Sequence, residues 1–309
     1  MQSYDMQSYE VAPNPHGWAL VLHGGAGGRV EELTLDVRGS YTEGLTRAYT
    51  AGADVLAAGG SALDAVCATV EQLEDDPLFN AGRGAALTAA GTAELDACVM
   101  TGDGRAGAIT ACRYARNPVL AARKVMEETS AVLLVDPSEA RLLDWELATV
   151  PPEYFLTPAR QQQLRNVQAR TLEASRHGTV GAVALDAHGR LAAATSTGGM
   201  VNQNEGRVGD TPIVGAGTYA RDGVVAISCT GEGEAFIKGV VAHDVAARMR
   251  YLGQPLPAAV EATVEEELTG HGAMGGLIAV GADGSVTVAH NSPAMFSAYH
   301  DGTRLVTHT

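Results

Sequence analysis

Residues 177–199, HGTVGAVALDAHGRLAAATSTGG, constrain the fold of this chain more than any other stretch. Val180, Ala182, Val183 and Leu185 make an apolar alternating run, opened by Thr179, that reads as a buried strand. A polar break over residues 186–190 leads into a second run, residues 191–197. Two such runs joined by about five residues, a glycine among them, predict an antiparallel hairpin. A register with Leu185 opposite Leu191 puts Thr179 opposite Thr197. Directly opposed residues have Cβ atoms about 4.5–5.5 Å apart, so two hydroxyls meet at the hairpin mouth. A hairpin has no structural need of that pair; a nucleophile with a helper does.

Gly178 adds to the suggestion. A glycine there permits backbone conformations closed to other residues, and backbone strain is a feature of functional sites. A threonine in mid-chain has nothing beside it to take its proton. Cutting the bond between Gly178 and Thr179 gives Thr179 a free α-amine with a pKa of about 7.7–8.0. Threonine paired with its own N-terminal amine is a recognised activated nucleophile. On this stretch alone, a turn leading into a strand is the simpler reading.

Composition narrows the classes. A chain of 309 residues is one large domain or two. With 46% hydrophobic and 18% charged residues it is core-rich and globular. A net charge of −15 argues against a nucleic-acid partner, which needs Lys and Arg to neutralise phosphates. No apolar stretch approaches the roughly 20 residues of a membrane span, and no secretory signal pattern opens the chain. Cys67, Cys98, Cys112 and Cys229 sit singly in apolar runs without metal-ligand spacing. They read as reduced core residues of a cytoplasmic protein.

In chain order, the near-duplication MQSYDMQSYE and the Pro13-Asn14-Pro15 run predict a disordered lead over residues 1–16, with Met6 as an alternative start. A strand over residues 18–22 runs into HGGAGG, where neither G-x-G-x-x-G nor GK[ST] can be aligned, so a dinucleotide reading is weak. Residues 40–58 read as a helix stopped by Gly59-Gly60. Ser61 with Asp64 forms a capping box for a second helix, with Leu63, Val66, Val70 and Leu73 on one face. A loop over 73–84 and strands near 93–100 and 107–114 follow. Asn117-Pro118 opens a helix through Glu128, and 131–136 reads as a strand. Residues 157–176 turn to Gln, Arg and Ala, predicting a surface helix or a mobile tail ahead of Gly178. Beyond the hairpin, a loop over 204–212 carries Arg207 and Asp210. A strand over 224–229 ends in Thr230-Gly231-Glu232-Gly233-Glu234 and predicts one helix of about 15 residues after it. Backbone N–H groups between a strand end and a helix start suit an anion or an oxyanion. A helix near 256–268 and strands at 276–281 and 285–290 complete an α+β layered pattern.

HGGAG, LFNAGRGA, ELDACVM, NPVLAARKVME, GTVGAVALD, AATSTGG, GRVGDTP, VGAGTYA, SCTGEGE and GGLIAV follow one another at sensible spacing between about residues 18 and 290. Together they resemble the plant-type L-asparaginase / isoaspartyl aminopeptidase family of N-terminal nucleophile hydrolases. The resemblance implies a four-layer αββα sandwich that cuts itself at Gly178-Thr179. An α chain (1–178, with 157–178 a mobile tail) and a β chain (179–309) would stay together as one folded domain and associate as (αβ)2. Gly178 favours this branch over glycosylasparaginases and threonine aspartases, which carry Asp before their Thr.

The same resemblance assigns roles. Thr179 is the nucleophile and its amine the base, with Thr197 hydrogen-bonded to that centre. Arg207 grips the substrate α-carboxylate through its guanidinium fork and Asp210 holds the α-ammonium. Taken without the family, a mutual salt bridge is the commoner reading of Arg207 and Asp210, and a helix-entry cap that of Thr230. Thr230 and the Gly231 N–H form the oxyanion hole, and the Gly233 carbonyl helps bind the amine. Backbone carbonyls of Leu73, Glu74, Asp76, Phe79, Ala81 and Arg83 hold a structural sodium ion, oxygen ligands being what hard cations prefer; no cofactor serves catalysis. Cys229 reads as packing rather than a nucleophile, and His23 and His177 as structural. Glu232 is expected to turn away from the developing oxyanion. The implied reaction is hydrolysis of the side-chain amide of L-asparagine and of β-aspartyl dipeptides. Restriction to one substrate, or an unprocessed ligand-binding protein of the same fold, are the alternatives.

Overall fold

The chain is described by a computed structural model over residues 5–13, 16–27, 33–169 and 178–309. Its first half gives β1 (Gln7–Val11), β2 (Ala19–Ala26), α1 (Leu35–Ala57), α2 (Ala62–Asp75), β3 (Leu95–Thr101), β4 (Ala106–Cys112), α3 (Pro118–Glu128), β5 (Leu133–Val135), α4 (Glu139–Asp144) and α5 (Pro158–Gln168). The second half gives β6 (Val180–Leu185), β7 (Leu191–Thr197), β8 (Thr218–Arg221), β9 (Val225–Gly231), α6 (Gly233–Gly239), α7 (Val241–Leu252), α8 (Leu256–Thr263), β10 (Gly275–Gly281), β11 (Val286–His290), β12 (Met295–His300) and β13 (Leu305–His308).

The strands form two sheets, ordered β1-β11-β10-β9-β8 and β13-β12-β2-β6-β7-β3-β4-β5. Strands β6 and β7 are buried along their whole length, as strands covered on both faces must be. Their period of two divides them cleanly. Val180, Ala182, Ala184, Ala192 and Ala194 belong to a core packed under α1, α2 and α3. Val183, Leu185, Leu191 and Ala193 belong to a second core that fills the space between the sheets and reaches α7 and α8. Helices α2 and α3 lie against the larger sheet, α7 and α8 against the smaller, and β6, β7 and β2 face β9 and β10. The layers are therefore helix, sheet, sheet, helix, the expected α+β αββα sandwich.

Several elements differ from the sequence expectation. Residues 7–11, expected to be disordered, form β1 against β11, with Tyr9 opposite Val288 and its ring 4.4 Å from that of His308. Backbone pairing and one aromatic contact hold a strand whose composition is polar. In the expected tail, residues 158–168 are helical, capped by Thr157 accepting from Arg160 N–H; residues 170–177, His177 included, lie outside the described residues. Helix α1 starts at Leu35, with Thr34 as its N-cap. The single helix expected after Gly233 is two, α6 and α7, broken at Val240 with φ 48°. The N–H groups of Ala242 and His243 turn there to the carbonyls of Ala216 and Gly215. Strands β12 and β13 had no counterpart in the sequence reading.

Asn117 does not cap α3 with its side chain; it donates to Asp75. Glu74 reaches across instead, its Oε1 accepting from Val119 N–H at 2.9 Å and from Ser196 Oγ at 2.6 Å. Its other oxygen has no partner, and burial pushes its pKa up to about 8. A raised carboxyl pKa means the fold favours the protonated form. That contribution is complete below about pH 4.5 and is lost as pH rises to about 8. The unfolding midpoint is expected to fall by several degrees across this window. Adding Glu74→Gln should flatten that slope, because the neutral amide has no charge to desolvate; equal slopes would refute the assignment.

Candidate active site

The hairpin β6–β7 pairs in the expected register, Leu185 with Leu191 and Val180 with Ser196. The next pair outward is Thr179 and Thr197. Both are buried, and Thr179 Oγ donates to Thr197 Oγ at 3.2 Å. Thr197 Oγ also accepts from Gly199 N–H at 3.1 Å, which fixes the helper hydroxyl in place.

Strand β2 runs beside this mouth and explains its glycines. At Gly25, with φ 114°, an added Cβ would sit 2.9 Å from the Cα of Gly178. At Gly178, an added Cβ would sit 2.6 Å from Cβ of Asn80. The bond before Thr179 is therefore wedged where no side chain fits on either partner. Asn80 is itself fixed, its Oδ1 accepting from Ala86 N–H at 2.6 Å and its Nδ2 donating to Gly199 O at 2.7 Å. One residue beyond Gly25, Ala26 N–H donates to Thr230 Oγ at 3.2 Å. A single short strand thus touches the nucleophile candidate and the oxyanion candidate.

His23, fully buried on the same strand, is more than packing. One ring nitrogen, Nδ1, lies 3.0 Å from the carbonyl of Thr179, and Nε2 lies 2.9 Å from Ser228 Oγ. Burial drives its pKa down to about 3, so the ring is neutral and its single N–H donates to the Thr179 carbonyl. From Ser228 the hydroxyl chain continues to Thr195 at 2.7 Å and Thr218 at 2.7 Å. These residues come from both sheets, and they hold the Thr179 carbonyl from behind. In the sequence His23 opens the HGGAG motif, with no local pattern that points to Thr179 or Ser228.

The loop after the hairpin brings Arg207 and Asp210 to the start of α6. They do not pair as a simple salt bridge. Arg207 is held by Glu234, Nε to Oε1 at 3.0 Å and Nη2 to Oε2 at 3.1 Å. A Cβ on Gly233 would sit 2.9 Å from Arg207 Nη2 and 3.0 Å from Asp210 Oδ1, so both groups converge over that glycine. Asp210 is buried and its Oδ2 has no hydrogen-bond partner. Burial raises its pKa to about 7; Arg207 pulls it down, and Glu234 and Asp96 push it up. A cation delivered beside Oδ2 would restore its charge. Asp96, buried and paired across the sheet with Thr197, accepts from Thr110 Oγ at 2.6 Å and Ala111 N–H at 2.9 Å. Its pKa is raised to about 6 by burial, against hydrogen bonds that include Gly209 N–H. The sequence reading missed Asp96 and Glu234; both lie inside the quoted motifs, without a spacing that marks them.

Gly231 pairs with Gly275 on β10, where an added Cβ would approach Gly275 Cα to 2.6 Å. Glu232 exchanges bonds with Met274, donating N–H to its carbonyl at 3.0 Å and accepting its N–H on Oε1 at 3.3 Å. One oxygen of its carboxylate is thus engaged by the N–H just ahead of β10. Burial holds the Cys229 thiol well above its ordinary pKa, which fits packing and opposes a thiolate.

Among the described residues no cluster of His, Cys, Asp and Glu could hold a metal ion. Backbone oxygens are another matter. At Gly82 a Cβ would lie 2.4 Å from the carbonyl oxygen of Glu74, and at Gly84 2.0 Å from that of Phe79. These glycines let the backbone of residues 82–84 lie directly against the carbonyls of Glu74 and Phe79. The oxygens of Asp76 and Ala81 each accept one backbone bond, from Phe79 and Gly84, and a carbonyl has a second lone pair to give. Arg83 lays its guanidinium 4.8 Å from the centre of the Tyr154 ring.

Residues 16–308 match the asparaginase family. The isoaspartyl peptidases of Salmonella typhimurium and Escherichia coli are each 46% identical over 294 residues. They cover 91% of this chain and 94% and 92% of their own lengths. The isoaspartyl peptidase/L-asparaginase of Bos taurus is 39% identical over 291 residues, 92% of this chain and 93% of its own. With its four layers, its facing threonines and these likenesses across nearly its whole length, the chain belongs to the asparaginase family.

Proposed function

We propose that this protein is an autoprocessing hydrolase of the side-chain amide of L-asparagine and of β-aspartyl dipeptides, with Thr179 as its N-terminal nucleophile. The observation that carries the reading is the buried Thr179–Thr197 hydroxyl pair, with Gly178 wedged between Gly25 and Asn80. In processing, Thr179 Oγ attacks the Gly178 carbonyl carbon, the Gly178–Thr179 C–N bond breaks, and the amide becomes an ester. Water then cleaves the ester, leaving a carboxylate on Gly178 and a free amine on Thr179.

In turnover that amine takes the Thr179 hydroxyl proton while Oγ attacks the substrate's side-chain carbonyl. The oxyanion lies at Thr230 Oγ and Gly231 N–H, groups worth about 2.7–4 kcal/mol per donor in such sites. Ammonia, or the amino acid of a dipeptide, leaves with the proton. Water hydrolyses the β-aspartyl ester and releases aspartate. Arg207 takes the α-carboxylate, and Asp210, whose Oδ2 lacks a partner, takes the α-ammonium with the Gly233 carbonyl. L-Asparagine and β-aspartyl dipeptides share these two groups, which supports one site for both. The test is mass spectrometry of the purified protein: two pieces ending at Gly178 and starting at Thr179 are expected, and an intact chain after long incubation would refute the reading.

Sodium would be held by the carbonyls of Leu73, Glu74, Asp76, Phe79, Ala81 and Arg83. Its part is structural, because that loop carries Asn80 against Gly178. A ligand that binds the folded state raises stability with concentration. The unfolding midpoint is therefore expected to be a few degrees higher in sodium chloride than in choline chloride at equal ionic strength; identical midpoints would remove the ion. Association of two processed pairs as (αβ)2 and a cytoplasmic location complete the proposal. The location agrees with four free buried cysteines and with the absence, among the described residues, of a helix able to cross a membrane.

A further inference from the structure

The clamp just described contains a carboxylate that has no role in the reaction. Glu234 takes the Nε/Nη2 edge of Arg207 in a two-bond pair. A planar guanidinium has a second edge, Nη1/Nη2, able to receive a carboxylate in the same forked way. Arg207 itself is largely buried, at 17% side-chain exposure, whereas Glu234 is 55% exposed. The guanidinium is also confined: an added Cβ would lie 3.0 Å from Nη1 at Gly209 and 2.9 Å from Nη2 at Gly233. It therefore sits in a slot with glycine on both sides, its rear edge tied to a carboxylate at the rim.

Two other carboxylates compete for the same cation. Asp96 and Asp210 are both buried and both feel Arg207. Asp210 Oδ1 and Arg207 Nη2 face the same point over Gly233, so a freely turning guanidinium would close on Asp210. That closure would cancel the two groups meant for opposite ends of a zwitterion. We infer that Glu234 is a positioning residue for substrate recognition: by holding the Nε/Nη2 edge of Arg207 it presents the other edge to an α-carboxylate and keeps Asp210 free for an α-ammonium. The class of ligand this arrangement selects is an unblocked α-amino acid unit, with both termini charged. This inference rests on the function proposed above.

The test compares the processed parent with Glu234→Gln and Glu234→Asp, using L-asparagine and its α-amide, in which the carboxylate is blocked. Both variants should split normally, since the side chain is exposed and away from Gly178. For L-asparagine, Glu234→Gln should raise KM about tenfold, the size of one lost charge-assisted hydrogen bond, with kcat within about twofold. Glu234→Asp should recover part of the loss. On the α-amide, parent and Glu234→Gln should be equally poor, because the presented edge then has nothing to grip. An unchanged or lowered KM for L-asparagine would overturn the inference, the latter making Glu234 a competitor of substrate. Equal damage on both substrates would overturn it too. If the processed parent hydrolyses neither L-asparagine nor a β-aspartyl dipeptide, the functional reading fails first and takes this inference with it.

Discussion

Thr179→Ala protein should remain a single chain and turn over no substrate. Both effects come from one missing oxygen, because the proposed cleavage and the proposed turnover use the same Oγ. The loss in turnover should be on the order of 10⁶-fold, as when a serine hydrolase loses its nucleophile. The fold should survive: Thr179 lies just outside β6, and the His23 bond to its carbonyl involves backbone. Denaturing electrophoresis and asparagine turnover check the two halves together. A variant that still splits at this bond would move the nucleophile elsewhere.

Arg207→Lys should split like the parent and yet lose about ten- to a hundredfold in turnover of asparagine. Processing uses no α-carboxylate, so it does not need the guanidinium. Turnover needs a group that can stay paired with Glu234 at 3.0 and 3.1 Å and still present a second fork. An ammonium keeps the charge and has no second planar edge, and a charge-assisted bond is worth about 1.5–3 kcal/mol. Parent-like turnover would remove Arg207 from the α-carboxylate; failure to split would give it a part in processing.

The hairpin was legible because every residue of it votes. Alternating apolar positions in 180–185 and 191–197 set the register, and register alone put Thr179 opposite Thr197. Arg207, Asp210 and Thr230 became legible through motifs, not through any local pattern. What stayed hidden depends on distant partners. Tyr9 is ordered by Val288 and His308, and Val240 takes a left-handed conformation because the next turn docks on Gly215 and Ala216. Glu234 looks like any charged residue at a helix start until Arg207 is found beside it. His23 acquires meaning from Thr179 and Ser228, 156 and 205 residues away. The β12 segment sends Phe296 and Ala298 to one core and Met295 and Tyr299 to the other, so it offers no alternation to read.

The order of the larger sheet sets the fate of a cut molecule. Strands β2, β3, β4 and β5 precede Thr179, and β6, β7, β12 and β13 follow it, so ladders at β12/β2, β2/β6 and β7/β3 each join one piece to the other. The β1/β11 pair adds another such seam in the smaller sheet. Severing the Gly178–Thr179 bond breaks none of these ladders, and the pieces cannot part without unzipping several at once. Before the cut, renaturation is a first-order event within one chain. Afterwards it is an encounter between two unlike chains, second order and slower with every dilution. The mature protein would then persist by the slowness of its unfolding, with its one easy passage to the native state made as an uncut precursor.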